Sequence, residues 1–361
     1  MQEIDYLIVG SGIAGLCVAE CLNAETKSFL IIDKQLPGAA SIVSSGLINP
    51  VTGKRFVKSW NFNEIEASFR AFYKDLEKRL QLEFFSEIQL VETLHSAEDE
   101  NQWLSRTNDP DYIEYMGSLD TNKIEGYKKT GSGVYGKIKK AYRLDVEKLL
   151  PRWIEIFKQE DKLIHDLFDY STIQIKEQFI ICNTIKVNKA VVFCEGHRLI
   201  NNPYFNWLPL FSLKGECLKF YSKGLPQDQV YKSSYAIVPQ GNHRFWCGSN
   251  FELDDLDSAC TSKEMTSQWD FVKGHIEADV KLIDHYAGIR PAIRDRRPVL
   301  GCHPENSKLV VFGGLGTKGF SIAPYCGLAL KEHLISSKPL PKSIQISRFL
   351  KKYYQNQPET K

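Results

Sequence analysis

The sequence predicts an α/β protein, and three observations carry that expectation. The first 33 residues run as apolar segment, glycine cluster, helical segment, apolar segment, acid. Late in the chain, FGGLGTKGFSIAPYCGLAL (312–330) is a glycine-rich loop that enters a helix. Between them, stretches near 84–93, 132–142 and 213–250 read as strands separated by turns, the pattern of an antiparallel sheet.

DYLIVG (5–10) is rich in β-formers and runs into GSGIAG (10–15), after which LCVAECL (16–22) reads as a helix. SFLIID (28–33) is the next strand and ends on Asp33. This context gives a GxGxxG meaning. Gly10 lets the chain turn out of the strand, Gly12 lets a pyrophosphate approach the backbone, and Gly15 lets the helix pack close to the strand. The helix start offers free N–H groups and partial positive charge to phosphates. Asp33, 18 residues after Gly15, is placed to accept both hydroxyls of an adenosine ribose. The segment therefore predicts dinucleotide binding, and by itself leaves FAD and NAD both open.

PGAASIVSSGLINP (37–50) is a run of small and turn-forming residues where an NAD domain would usually continue into its next helix. KAVVFCEG (189–196) is another apolar strand ending on glycine, and AGIRPAIRDRRPVLG (287–301) precedes the late glycine loop. NEIEASFRAFYKDLEKRLQL (63–82) places Ile65, Phe69, Phe72, Leu76 and Leu80 on one helical face, with Asn61 or Asn63 available as cap. Asp145 is expected to cap a helix to about residue 159, kinked or delayed by Pro151. ISRFLKKYYQNQPETK reads as a short basic helix and a frayed end, its Lys351–Lys352 pair on a solvated face.

The 361 residues allow two or three domains. With 43% hydrophobic and 25% charged residues, wholesale disorder is excluded. A net charge of +2 gives no global attraction to nucleic acid or anionic membrane. The nine cysteines form no CxxC or Cys/His zinc spacing, the eight histidines are isolated, and no metal site is expected. Scattered thiols suit a reducing compartment, the start MQEID lacks the basic character of a signal peptide, and the apolar stretch Tyr6 to Ala19 is too short to span a bilayer. The expectation is a cytoplasmic protein with no membrane partner.

GSGIAG with Asp33, AASIVSSG, LDVEKLL (144–150), YAIVPQGNHRFWCG (235–248), GIRP and GGLGTKGF together resemble the D-amino-acid-oxidase superfamily of FAD enzymes, which includes glycine and sarcosine oxidases. SGLINP with AIRDRRPVLG is similar to one branch, the oxidase domain of the bifunctional enzyme that removes a carboxymethyl group from a wobble uridine of tRNA. Some positions depart from the family pattern. Cys194-Glu195-Gly196 replaces Ala-Thr-Gly, Lys214-Gly215-Glu216 replaces Arg-Gly-Gln, and Pro291 stands where sarcosine oxidases carry a flavin-linking cysteine. The implied FAD is non-covalent.

The resemblance implies a Rossmann-like FAD-binding domain of the glutathione-reductase type, from 1–75, 141–212 and 286–361, with an inserted α+β substrate domain on an antiparallel sheet, from 76–140 and 213–285. FAD would be held by Gly10, Ser11, Gly12, Ile13, Ala14 and Gly15, and by Asp33 with Lys34. Ala40, Ser41, Ser45, Gly46, Leu47, Cys194, Glu195 and Gly196 would add to it, as would Gly314, Gly316, Thr317, Lys318, Gly319 and Phe320.

The implied chemistry moves a hydride from the carbon beside an amine to flavin N5. The imine then hydrolyses, and O2 takes the electrons. Three residues would carry it. Arg290 matches the family's carboxylate-binding arginine, against the alternative of a structural ion pair with Asp295 or Glu195. Lys318 would add positive potential beside the helix entered by the late glycine loop, against the alternative of a solvent-facing lysine, and Thr317 would donate to the flavin's pyrimidine edge. Tyr235, Trp246 and Tyr286 are candidates for the pocket wall. Arg294, Arg296 and Arg297 are either solvated or a cationic rim for a large anionic substrate. The expected substrate is a small amine or amino acid. A carboxymethylated tRNA uridine is the second reading, and a flavin-binding redox protein without amine turnover the third.

Overall fold

Four apolar strands, Gln2–Val9, Phe29–Ile32, Ile185–Phe193 and Asn306–Gly313, lie parallel at the centre of the first sheet. The computed structural model describes residues 1–355 of the chain. Val9 pairs with Ile32 on one side and Phe193 on the other, and Phe193 pairs with Val311. Their carboxyl ends thus stop along one line, the edge at which open parallel sheets bind ligands. Leu163–Ile164 extends the sheet beyond Phe29–Ile32, and short antiparallel strands finish its other side.

The second sheet has nine strands among the described residues, antiparallel apart from the parallel pair Gln229–Lys232 with Phe85–Leu94. Lys281–Ile293 lies at one edge, pairing with Leu210–Tyr221 from Tyr221↔Lys281 to Leu210↔Ile293. The expected boundaries at 141 and 286 fall inside the strands Val134–Leu144 and Lys281–Ile293, the first at a shift of register against Phe85–Leu94 and the second within continuous pairing with Leu210–Tyr221. The segment before residue 75 also supplies a strand to this sheet, Leu47–Ile48.

The segment 37–46 lies between the sheets. Gly38 O accepts from Ile289 N at 2.9 Å, and Trp246 Nε1 donates to Val43 O at 2.9 Å. Gly46, at φ +72°, is needed because a Cβ there would stand 2.1 Å from Leu144 O.

The helix Phe62–Leu80 buries Ile65, Phe69, Leu76 and Leu80 as expected, but Tyr73 is buried as well and Phe72 is only half-buried, against Trp153. Asn61 occupies the cap position in a left-handed conformation, and its side chain bonds Glu64 instead of capping the backbone. Asp145 caps Val146–Gln159 by accepting from Lys148 N, and the helix runs through Pro151, which is exposed. The tail forms the helix Leu350–Gln355, and the frayed end expected beyond it lies outside the described residues. No helix among the described residues is long and apolar enough to cross a membrane.

At the first glycine turn, a Cβ on Gly15 would lie 1.9 Å from Gly10 O, whereas one on Gly12 would meet only Ser41 Oγ, at 3.4 Å. Gly15→Ala should therefore lower stability by about 1–3 kcal/mol through overpacking. Gly12→Ala should leave the denaturation midpoint of the ligand-free protein near wild type while reducing the amount of dinucleotide that the turn is expected to hold. Thermal melts of both ligand-free variants, with bound dinucleotide measured separately by absorbance, check this.

Candidate active site

A cavity of about 750 Å³ follows the carboxyl edge of the first sheet and is closed on its far side by the second. That volume is within the range of about 300–1,000 Å³ usual for small-molecule and cofactor sites. One end is built from the glycine turn. The helix Ile13–Ala24 has no side-chain cap and no acid in its first turn, so its positive end is not compensated locally. Ser11 N is held by Asp33 and Ile13 N by Ser41 Oγ. The N–H groups of Gly12 and Ala14 have no protein acceptor among the described residues. This is an anion cradle of the pyrophosphate kind.

Asp33 has a second duty. Its Oδ2 accepts from Ser11 N at 2.6 Å and Ser11 Oγ at 2.7 Å, while Oδ1 accepts from Gln35 N at 2.7 Å. The carboxylate braces the turn, and its remaining lone pairs face the cavity it lines. Across from it, Glu195 accepts from Asn202 Nδ2 at 2.6 Å and from the Tyr170 hydroxyl. Burial raises the Glu195 pKa against the pull of these two donors. Thus the glutamate that departs from the family pattern has each carboxylate oxygen hydrogen-bonded within the wall.

The other end of the cavity is cationic. The strand Lys281–Ile293 carries Arg290, whose guanidinium lies over Gly215 on the neighbouring strand. A Cβ at Gly215 would stand 1.8 Å from Arg290 Nη2, so any side chain there would displace the guanidinium from this position. Nη2 donates to Ser249 Oγ at 2.5 Å, and Nη1 reaches the carbonyls of Lys214 and Asn250 at 3.3 Å each. The Phe251 ring covers the guanidinium at 5.0 Å. The structural ion pair weighed for Arg290 does not form, since Asp295 pairs with Arg348 instead. No carboxylate among the described residues pairs with Arg290.

Lys318 is not a solvent-facing lysine. Its ammonium reaches Ser59 Oγ at 2.9 Å and Thr52 Oγ1 at 3.4 Å. Burial, with Arg296 adding, pushes it below the usual lysine pKa. Gly316, expected to help hold FAD, donates its N–H to Pro291 O at 2.8 Å and fastens the late loop to the strand of Arg290. Lys318 N is turned back to Leu315 O. The N–H groups of Thr317, Gly319 and Phe320 remain at the uncapped start of the helix Gly319–Ser336. Thr317 itself is exposed.

Most expected site residues meet on this cavity. Gly10, Ser11, Gly12, Ile13, Ala14, Asp33, Lys34, Ala40, Ser41, Ser45 and Leu47 line one end. Cys194, Glu195 and Gly196 line it beside Gly10, and Arg290, Gly316, Thr317, Lys318, Gly319 and Phe320 line it as well. Gly15, Gly46 and Gly314 stand behind the wall, where they allow close packing or a left-handed turn. Tyr235 and Trp246 line it and Tyr286 does not, its ring instead covered by the Lys219 ammonium. Arg294, Arg296 and Arg297 are exposed.

Sequence reasoning missed Ser249 and Phe251, the segment 166–170, and His197. None has a local motif, although Ser249 and Phe251 directly follow the quoted strand ending at Gly248. Burial, with Arg198 adding, pushes His197 down to about 4, so it is a neutral hydrogen-bonding group at pH 7.

The model of the FAD dependent oxidoreductase family, DAO, matches residues 5–333. The chain belongs to that family. It is 21% identical over 358 residues to a glycine oxidase of Bacillus licheniformis, covering 93% of this chain and 94% of that protein. Its fold matches glycine oxidase from Geobacillus kaustophilus with a TM-score of 0.80 at 19% identity, over 95% of this chain and 100% of that one. It matches iminodiacetate oxidase from Chelativorans sp. BNC1 with a TM-score of 0.74 at 19% identity, over 93% and 96% of the two chains.

The protein is thus a DAO-type oxidoreductase whose cofactor is FAD. The cradle at Gly12, the carboxylate of Asp33 and the cationic far end fit an extended dinucleotide with a polar head. The cavity thiols fit non-covalent binding, since burial raises both, Cys217 to about 12. Asp33→Ala should release flavin on dilution and dialysis, read as a fall in bound FAD per chain. Asp33→Asn should retain more, because its amide oxygen still accepts from Ser11.

Proposed function

We propose that this DAO-type enzyme oxidises the carbon–nitrogen bond of a small amino acid or secondary amine bearing a carboxylate. The observation that carries this reading is Arg290. It is a half-buried guanidinium on the cavity wall, oriented by Ser249, backed by Gly215, and without a carboxylate of the protein's own. A planar fork in that setting favours a bidentate carboxylate. Holding that group fixes the neighbouring carbon in the cavity, which is the positioning that C–H transfer needs.

FAD would supply the two-electron acceptor for the carbon-bound hydrogen. The protein's residues do the remainder. Arg290 orients the substrate and Phe251 shields the guanidinium. Lys318 and the N-terminus of the helix Gly319–Ser336 hold positive potential where negative charge develops. Trp246 and Tyr235 wall off the amine end, with the Tyr235 hydroxyl committed to Glu264 at 2.8 Å. The amine enters neutral and loses its N–H proton as the carbon loses hydride. Water hydrolyses the imine, and O2 becomes hydrogen peroxide.

Anaerobic mixing of the flavoprotein with glycine, sarcosine, iminodiacetate, D-amino acids and undermodified tRNA tests this. Bleaching of the flavin by a small carboxylated amine is the expected result. Bleaching by the tRNA alone would transfer the assignment to an RNA-bound carboxymethyl group, and bleaching by none would leave a redox role without amine turnover. Arg290→Ala should raise KM roughly ten- to a hundredfold, matching about 1.5–3 kcal/mol for a charge-assisted contact, with flavin still bound. An unchanged KM would remove Arg290 from the substrate site.

A further inference from the structure

On the strand Leu210–Tyr221, side chains alternate between the cavity and the opposite face. Gly215 and Cys217 line the cavity, so Glu216 points away from it. The same outer face of Lys281–Ile293 carries His285. It pairs in register with Leu218, which makes Glu216 its diagonal neighbour. The two side chains are 2% and 9% exposed, and Glu216 Oε2 lies 3.4 Å from His285 Nε2. Cys260, at the start of the helix Ser262–His275, brings its thiol to the same point. One ligand atom from each of the three residues lies within 4.8 Å of the others.

The hydrogen bonding of this group is incomplete in one place. Glu216 is oriented by Thr261, whose N donates to Oε2 at 2.7 Å and whose hydroxyl donates to Oε1 at 3.0 Å. His285 Nε2 is enclosed, faces the carboxylate and makes no hydrogen bond. A buried polar atom without a partner asks for a ligand or an ion.

We propose that Glu216, Cys260 and His285 form a zinc-binding site. A carboxylate oxygen, an imidazole nitrogen and a thiolate sulfur form a mixed, partly soft donor set that suits Zn²⁺ and is poor for Mg²⁺ or Ca²⁺. Tetrahedral bonds of about 2.0–2.3 Å place ligand atoms about 3.3–3.8 Å apart. The Glu216–His285 spacing already meets that edge, and exposed Cys260 closes the remainder. The Cys260 thiol releases its proton to solvent as the zinc–sulfur bond forms, and water takes the fourth position. The ion's two charges meet two anionic ligands. Asp284 and Glu264 add negative potential around His285, while Lys214 opposes them near Cys260.

The site joins two strands to the segment 249–261, which holds Ser249 and Phe251 against Arg290. Zinc would clip that segment to the sheet. The proposal stands whichever amine the enzyme oxidises.

Zinc titration of the chelator-treated holoprotein against a chromophoric competitor, with zinc K-edge absorption of the loaded form, is the test. One zinc per chain is expected, with a single sulfur at about 2.3 Å. Cys260→Ser, on an exposed loop, should weaken binding by about 100-fold or more, above what loss of an indirect supporting group costs. His285→Gln should do the same. Cys302→Ser is the control, since Cys302 faces His333 at 3.7 Å elsewhere, and it should bind as wild type. No zinc uptake, a shell without sulfur, or equal affinity in Cys260→Ser and wild type would each overturn the proposal.

Discussion

The Cα of Gly15 rests against the carbonyl of Gly10, and Gly10 in turn rests against the carbonyl of Cys194. Side chains at either position would stand 1.9 Å and 2.4 Å from those oxygens. This backbone-to-backbone contact locks the first helix, the first strand and the strand Ile185–Phe193 into one unit. It sets where the parallel strands end, and therefore where the cavity begins. The brace from Asp33 to Ser11 adds the strand Phe29–Ile32 to the same unit. Everything at the far end, including the placement of Arg290, is measured from that fixed edge.

The charged groups at the two ends of the cavity are then partnered differently. Asp33 and Glu195 stand at the end with the glycine turn, and both are bonded within the wall. Arg290 and Lys318 stand at the other end, and no carboxylate neutralises either among the described residues. A buried cation without a partner is costly. Lys318 carries that cost visibly, in a pKa pushed down by burial. Such uncompensated charge is worth keeping only where an anion is expected, whether a bound carboxylate or the charge that develops on an electron-accepting head.

Local backbone demands are written locally, and these were legible. GSGIAG, Asp33 and GGLGTKGF each lie within a few residues of the turn or helix start they serve, so spacing sufficed. The pairing of Arg290 with Gly215 joins residues 75 positions apart and depends on strand register, which no local pattern states. The cap at Asn61 failed for a different reason: its left-handed backbone leaves the side chain to Glu64. Gly316 lies in the late glycine loop as its sequence indicates, but its N–H is consumed by Pro291, a contact that arises only when that loop folds onto the second sheet.

Alternation along one strand resolves the departures at Lys214 and Glu216. Gly215 faces the cavity, and the Arg290 guanidinium occupies the space that a side chain there would take. Lys214 and Glu216 face the other way, fully buried, and each holds the segment that follows Gly248. Lys214 pairs with Asp255 at 2.8 Å and Asp257 at 3.0 Å, and Glu216 binds Thr261. A residue that replaces the family's arginine thus need not alter substrate contact. Both positions instead tie the segment 249–261, which carries Ser249 and Phe251, to the outer face of the sheet.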